Sequence, residues 1–210
     1  MNCHPPSVRY LVAPILSVIT WFAIHGVAFA DRTITTNTSY TNNQNINGTL
    51  TINAAGNPTL TLNSGASLSN LNYLIVGRTQ KGQLLVNTNV TLKSTGDALL
   101  GQEVNSTGVM TVTGAGATWT NAETVYSGYA GNGTLNILNG ATASSASGVL
   151  GWYPQGVGTV NVNGVGSQWV IANDIRVADE GAGVLNVQNG GKVTSPPASS
   201  ATTPAPASLR

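Results

Sequence analysis

Six times in this chain a short alternating segment returns at a nearly fixed interval. TLTLN follows Pro58, QLLVN follows Gly82, VMTVT follows Gly108, TLNILN follows Gly133, TVNVN follows Gly158 and VLNVQN follows Gly183. The landmarks thus recur about every 25 residues, and self-similarity at about 20–50 residues is the signature of a repeat architecture. In such an architecture each unit buries its apolar face only against its neighbours. A second landmark recurs between the first ones. It is Leu74–Gly77, Leu99–Gly101, Val125–Gly128, Val149–Gly151 and Ile175–Ala178. Its last positions, 77, 101, 128, 151 and 178, are separated by a short step and a long step in turn. That alternation implies two interleaved coil types and a super-repeat of about 50 residues. One type carries a turn such as Asn139-Gly140-Ala141-Thr142. The other carries Gly114–Trp119 or Gly164–Trp169, which places Trp119 and Trp169 one super-repeat apart.

Within each segment the period is two. Leu135 and Ile137, Val160 and Val162, and Leu185 and Val187 alternate with Asn136, Asn161 and Asn186, the pattern of a half-buried strand. Gly and Asn between the segments suit the positive φ of tight turns. A propeller blade needs four strands and about 40–50 residues. A solenoid with three short strands per ~25-residue coil fits better. The expected fold is therefore all-β, a parallel β-helix, right-handed by the crossover rule. Leu60, Leu84, Met110, Leu135, Val160 and Leu185 should form one inward column, one coil step of ~4.8 Å apart. Trp119 and Trp169 should lie two coils, ~10 Å, apart with Ser144 between them.

The segment Met1–Ala30 reads as a secretory signal. Arg9 precedes an uncharged apolar run, Tyr10–Ile24, and Ala28-Phe29-Ala30 forms an A-x-A site, with cleavage expected between Ala30 and Asp31. At ~1.5 Å per residue the run reaches only ~22 Å, short of a ~30 Å hydrocarbon core. The mature chain is thus expected not to span a membrane, and to be exported through an inner membrane to the periplasm, the cell surface or the medium. Four parts are expected: 1–30 signal peptide, 31–47 N-terminal cap or lead-in, 48–195 β-helix repeats, and 196–210 a disordered tail rich in Pro, Ser, Ala and Thr. The Pro196-Pro197 pair is expected to stop strand pairing after the first strand of the last coil.

Cys3, His4 and His25 all fall in the signal, so residues 31–210 contain neither Cys nor His. That excludes disulfides, a Ser-His-Asp triad, a Cys-His pair, a His general base and a Cys/His zinc site from the mature chain. Its seven basic residues (Arg32, Arg78, Lys81, Lys93, Arg176, Lys192 and Arg210) balance its seven acidic ones. No basic patch for nucleic acid is implied.

The repeat resembles one found in type V autotransporter passenger domains and in exported proteins carrying PEP-CTERM sorting signals. The likeness rests on Gly133-TLNILN and its copies, on Gly164-VGSQW, and on the hydrophobic-hydrophobic-Gly step, and it spans roughly Asn45–Thr194. Such passengers are parallel β-helices displayed at the bacterial surface, often in adhesion. The resemblance therefore implies a surface-type passenger segment with a structural or adhesive role, and a host surface or a polysaccharide as partner. No run of ~10-residue amphipathic strands follows the repeats in these residues, so the expectation is a passenger fragment without its C-terminal barrel. The last coil is expected to lie open and to support self-association.

Two rival functions stand beside this one: a secreted carbohydrate-active enzyme, and a gene fragment with no role of its own. Asp97 and Asp174 share a register but lie three coils, ~14 Å, apart. Paired glycosidase carboxylates sit within ~5–9.5 Å. Thr124 and Ser147 occupy the intervening coils. Glu103 and Glu180 repeat the same gap, and Lys93 and Arg176 are single bases without a clustered acid. No catalytic, cofactor or metal residue is assigned. Asp174, Asp179 and Glu180 read as a solvated turn. Trp119 and Trp169 read as corner packing, with the ring buried and the indole N–H at the edge, rather than as a sugar ladder. Tyr126, Tyr129, Trp152 and Tyr153 are the candidate surface contacts, an aromatic cluster just after the second landmark of adjacent coils.

Overall fold

A computed structural model describes residues 31–196; the expected signal peptide, its cleavage site after Ala30 and nearly all of the expected tail lie outside the described residues. The described chain is all strand, turn and bend. The stack opens with β1 (Arg32–Ile34), β2 (Thr38–Tyr40), β3 (Gln44–Ile52), β4 (Thr59–Leu62) and β5 (Ser67–Val76). It continues with β6 (Lys81–Val86), β7 (Thr91–Ser94), β8 (Ala98–Leu100), β9 (Thr107–Thr113), β10 (Thr118–Asn121) and β11 (Thr124–Ser127). It closes with β12 (Asn132–Leu138), β13 (Thr142–Ser145), β14 (Ser147–Leu150), β15 (Val157–Asn163), β16 (Gln168–Ile171), β17 (Ile175–Val177), β18 (Ala182–Gln188) and β19 (Lys192–Thr194).

These strands build three parallel faces. The first runs β2-β4-β6-β9-β12-β15-β18. The second runs β7-β10-β13-β16-β19 and the third β8-β11-β14-β17, and both converge on β5, long enough to serve two faces. Its first part pairs with β7 and its last part with β8. The chain is therefore a parallel β-solenoid with coils of about 25 residues, a period within the range of solenoid repeats.

The period-two pattern explains the interior. On the first face, Leu60, Leu84, Met110, Leu135, Val160 and Leu185 are register partners in an unbroken column. All but Leu185, in the last coil, are buried. Tyr40, Leu62, Val86, Val112, Ile137, Val162 and Val187 form the parallel column two residues on. Asn136, Asn161 and Asn186 alternate with them on the outside and bond amide to amide along the axis, Asn161 Nδ2 to Asn136 Oδ1 and Asn186 Nδ2 to Asn161 Oδ1, each at 2.8 Å. The landmark glycines Gly82, Gly108, Gly133, Gly158 and Gly183 also stack in one column. A Cβ on Gly133 would run into the Gly128 amide and the Leu100 carbonyl, because the chain doubles back there between the third and first faces. Only glycine allows backbones to approach so closely.

Three local expectations change. The segment 31–47 is a coil in its own right: β1 pairs with β3 and β2 with β4, both parallel, and Ile34, Tyr40 and Ile46 are buried. Its polar composition hides three inward positions separated by turns. Second, the residue between the two tryptophans is Ala143, not Ser144. The step from Trp119 to Ala143 is one short of the mean repeat and the step from Ala143 to Trp169 one longer, so a uniform count slips by one. Third, the last coil does not break after its first strand: β19 supplies its second face by pairing with β16.

Candidate functional site

The aromatic cluster is brought together by the third face and the turns leaving it. Tyr126 lies on β11, and its column continues through Val149 of β14 to Arg176 of β17. Tyr129 follows Gly128, and Trp152 and Tyr153 follow Gly151, the same turn one coil later. Tyr153 N–H donates to the Tyr129 carbonyl and so locks the two turns in register. The four rings close a ring of edge-to-face contacts. Centroid separations are 5.2 Å for Tyr126–Tyr129, 5.5 Å for Tyr126–Trp152, 5.2 Å for Tyr129–Tyr153 and 6.2 Å for Trp152–Tyr153, with interplanar angles of 76–87°. Each such pair contributes about 0.5–1.5 kcal/mol beyond its area burial. The Arg176 guanidinium lies 4.9 Å over the Trp152 ring, and Asp174 and Asp179 hold it there at 3.3 and 3.4 Å.

Tyr153 is exposed, and the other three rings are half-buried. Burial raises the pKa of Tyr126 above the ordinary phenol value, the Asp97 charge raises it further, and a hydrogen bond with Thr124 opposes both. Burial likewise raises Tyr129, helped by its hydrogen bond and proximity to Tyr153. Both phenols are thus neutral at physiological pH. The cluster is a preassembled, largely apolar platform with hydroxyl and guanidinium donors at its rim.

The carboxylates are arranged differently. Asp97 precedes β8 and accepts the Thr124 N–H at 3.1 Å; Asp174 precedes β17 and accepts the Ser147 hydroxyl at 2.6 Å. Thr124 and Ser147 are direct register partners between them, so each carboxylate is used in bridging adjacent coils. Among the described residues no group of three or more His, Cys, Asp or Glu side chains converges as a metal site would require.

Both tryptophans are fully buried rather than set at an edge. They belong to a column Leu92–Trp119–Ala143–Trp169–Val193 in which Ala143 makes room between the two indoles. Trp119 Nε1 donates to Ser94 Oγ at 3.2 Å and Trp169 Nε1 to Ser145 Oγ at 3.1 Å. Ser94 in turn donates to the buried Asn121 Oδ1 at 2.6 Å, leaving Asn121 Nδ2 without a partner. Sequence reasoning misses this interior polar group. One signal points to it: Asn121 stands two residues after Trp119 and shares its parity.

The fold and the aromatic platform define a parallel β-solenoid protein with an aromatic face. The chain matches no protein-family model, no curated protein and no solved structure.

Proposed function

We propose that the chain is an exported, non-catalytic segment of a bacterial surface protein, similar in kind to an autotransporter passenger, whose role is structural and adhesive. The observation that carries this reading is the aromatic platform formed by Tyr126, Tyr129, Trp152 and Tyr153. Its rings are held by one another and by Arg176, so little side-chain entropy is lost when a flat ligand stacks on them. The partner class this surface suits is a polysaccharide: sugar rings present C–H faces to aromatic rings and hydroxyls to a polar rim. Location at the cell surface, periplasm or medium follows from the Met1–Ala30 signal pattern and the repeat resemblance. The bridging roles of Asp97 and Asp174, three coils apart, weigh against a glycosidase pair.

Affinity electrophoresis of the full chain through gels containing neutral and uronic-acid polysaccharides tests the platform. Retardation is expected with at least one polymer, and Tyr153→Ala and Trp152→Ala should abolish it. Tyr73→Ala, at an exposed tyrosine on β5, should not. Equal retardation in all variants, or none for the native chain on any polymer, would remove the adhesive reading. Turnover of a polymer that disappears in Asp97→Asn or Asp174→Asn would replace it with the enzyme.

A further inference from the structure

The charges of this chain are not spread evenly over its faces. Asp97, Glu123 and Asp174 lead into strands of the third face, and Glu103, Asp179 and Glu180 lie in turns that leave it. The same series of turns carries the aromatic platform. Glu103 stands in the turn one coil before Tyr129, and Asp179 and Glu180 in the turn one coil after Trp152 and Tyr153. Backbone bonds join these turns: Tyr129 N–H donates to the Leu100 carbonyl, Ala130 N–H to that of Gly101, and Glu180 N–H to that of Gly151. Asp97 and Asp174 flank the platform as well, each held to the next coil through Thr124 or Ser147. The rings are thus bordered by acid on both sides along the axis. The cation among them is Arg176, and Asp174 and Asp179 already pair with it. Among the described residues, the exposed Glu103 and Glu180 belong to no ion pair. Arg78 occupies this turn two coils before Tyr129, ~10 Å away along the axis. The sign of the field shows at the phenols. After burial, the Asp97 charge raises the pKa of both Tyr126 and Tyr129; Asp174 adds to the shift at Tyr126, where Arg176 opposes it.

The platform already seats one cation, since the Arg176 guanidinium lies 4.9 Å over the Trp152 ring. An aromatic face attracts an ammonium group in the same way, and carboxylates around it add to the attraction. We propose that the partner of the platform is a cationic polysaccharide, a polymer of hexosamine units with free amino groups. Its rings stack on the exposed Tyr153 and the half-buried rings beside it, and its ammonium groups face the carboxylate border, Glu103 and Glu180 above all. The inference rests on the adhesive reading and narrows it: a uronic-acid polymer would bring carboxylates against carboxylates. A lysine-rich peptide shares the charge but suits the surface less well. The strands beneath the rings, β11 and β14, are paired on both sides, so no open edge is there for a peptide backbone to join. Lysine side chains would also lose rotamer freedom on the platform, whereas a sugar ring is rigid before it binds.

Isothermal titration calorimetry of the full chain tests the charge of the partner. The probes are a glucosamine oligomer, its fully N-acetylated counterpart of equal length, a galacturonate oligomer and a lysine oligomer. In mildly acidic buffer at low salt, the glucosamine oligomer should bind about tenfold more tightly than the acetylated one, a factor within reach of a single cation–π contact. The galacturonate oligomer should not bind. Added salt should shrink the preference, and Glu103→Gln combined with Glu180→Gln should remove most of it. Tyr153→Ala should abolish binding of the glucosamine oligomer. Equal affinity for the two glucosamine-based oligomers, lost in Tyr153→Ala, would overturn the charge selection and leave the adhesive reading standing. Tighter binding of the galacturonate oligomer would overturn it in favour of Arg176 reading an acidic sugar. A preference for glucosamine that survives Tyr153→Ala would reduce the contact to unspecific charge attraction and overturn it too. Tighter binding of the lysine oligomer, dependent on Tyr153, would replace the polysaccharide with a cationic peptide. No binding of any probe would remove the charge selection and the adhesive reading together.

Discussion

Gly148 faces the Trp169 indole across the interior of the stack, so closely that a Cβ on the glycine would lie 2.5 Å from the ring's Cη2 and 2.7 Å from Cζ2. The two residues belong to different faces and adjacent coils. On the third face, the positions equivalent to Gly148 carry Leu74, Ala98 and Val125, and in the next coil Ile175. The side chain is absent only where the large indole from the second face needs the room. The cross-section is thus kept constant by exchange of volume between faces, as close packing demands.

This relationship predicts a coupled pair. Gly148→Ala should destabilise by about 1–3 kcal/mol, the usual cost of overpacking, with a shift in tryptophan emission as the indole moves. Trp169→Leu should be costly alone through loss of buried volume, yet the double variant should be less destabilised than the sum of the two. Urea unfolding of the four proteins in a double-mutant cycle measures the coupling. Additivity would mean that the indole relaxes without strain.

The buried hydroxyl of Ser94 serves two partners, accepting from Trp119 Nε1 and donating to Asn121 Oδ1. Ser94→Ala removes both bonds and leaves a buried donor and a buried acceptor unmatched. Each unmet group costs about 1–3 kcal/mol, so this change of a single oxygen should lower stability by about 2–6 kcal/mol. A serine on the outer side, Ser144, should tolerate alanine with a change of about 0.5 kcal/mol or less. Thermal unfolding of the two variants side by side gives the comparison, and equal midpoints would show the interior polar group to be energetically idle.

Adjacent residues on β15 should behave oppositely. Val160 lies buried between Leu135 and Leu185, and an unpaired carboxylate there has no partner, so Val160→Asp should cost about 4 kcal/mol or more and unfold the C-terminal coils first. Asn161 links Asn136 to Asn186 on the outside. Asn161→Ala loses two partly solvated hydrogen bonds and should cost only about 1–2 kcal/mol. Hydrogen exchange resolved by coil would locate the damage, and protection lost equally along the whole stack in Val160→Asp would contradict nearest-neighbour stabilisation.

The coil, its inward column and its asparagine ladder are legible in the sequence because they depend on a local period of two nested in a longer repeat. Leu135, Val160 and Leu185 announce both at once. What depends on the length of individual turns is less legible. The turn from Gly101 to Gly108 is two residues longer than that from Gly128 to Gly133, and a uniform count along the repeats loses its register at Ala143. The coil formed by residues 31–47 is hidden because its strands are only three residues long outside β3, too short to display alternation. The aromatic cluster is visible as a coincidence of residue types after a shared landmark. Its closed edge-to-face arrangement is not, since that depends on how two turns of unequal length fold over the same face. The Ser94–Asn121 contact is concealed for another reason: a polar residue at an inward parity reads as a break in the pattern until a partner is known.

The phenols provide a prediction about alkaline pH. Tyr40, Tyr126 and Tyr129 all have pKa values raised above 10.0, in each case first by burial, with Arg32 partly offsetting the shift at Tyr40. A raised value means that the folded chain holds the phenolic proton more tightly than the unfolded chain does. Below pH ~10 both states are protonated and the phenols give no pH dependence. Above it the unfolded state loses protons first, so stability falls as pH rises through the folded values. The thermal midpoint should therefore be level between about pH 7 and pH 9 with respect to these groups and decline from about pH 10 upward. Tyr126→Phe should reduce the alkaline slope while retaining the ring contacts with Tyr129 and Trp152, because those are made by the ring and not by the hydroxyl. Ultraviolet absorbance of the phenolate would follow ionisation in the same samples. Ionisation of all the tyrosines in a single step near pH ~10, with the fold intact on circular dichroism, would contradict burial as the cause of the shift.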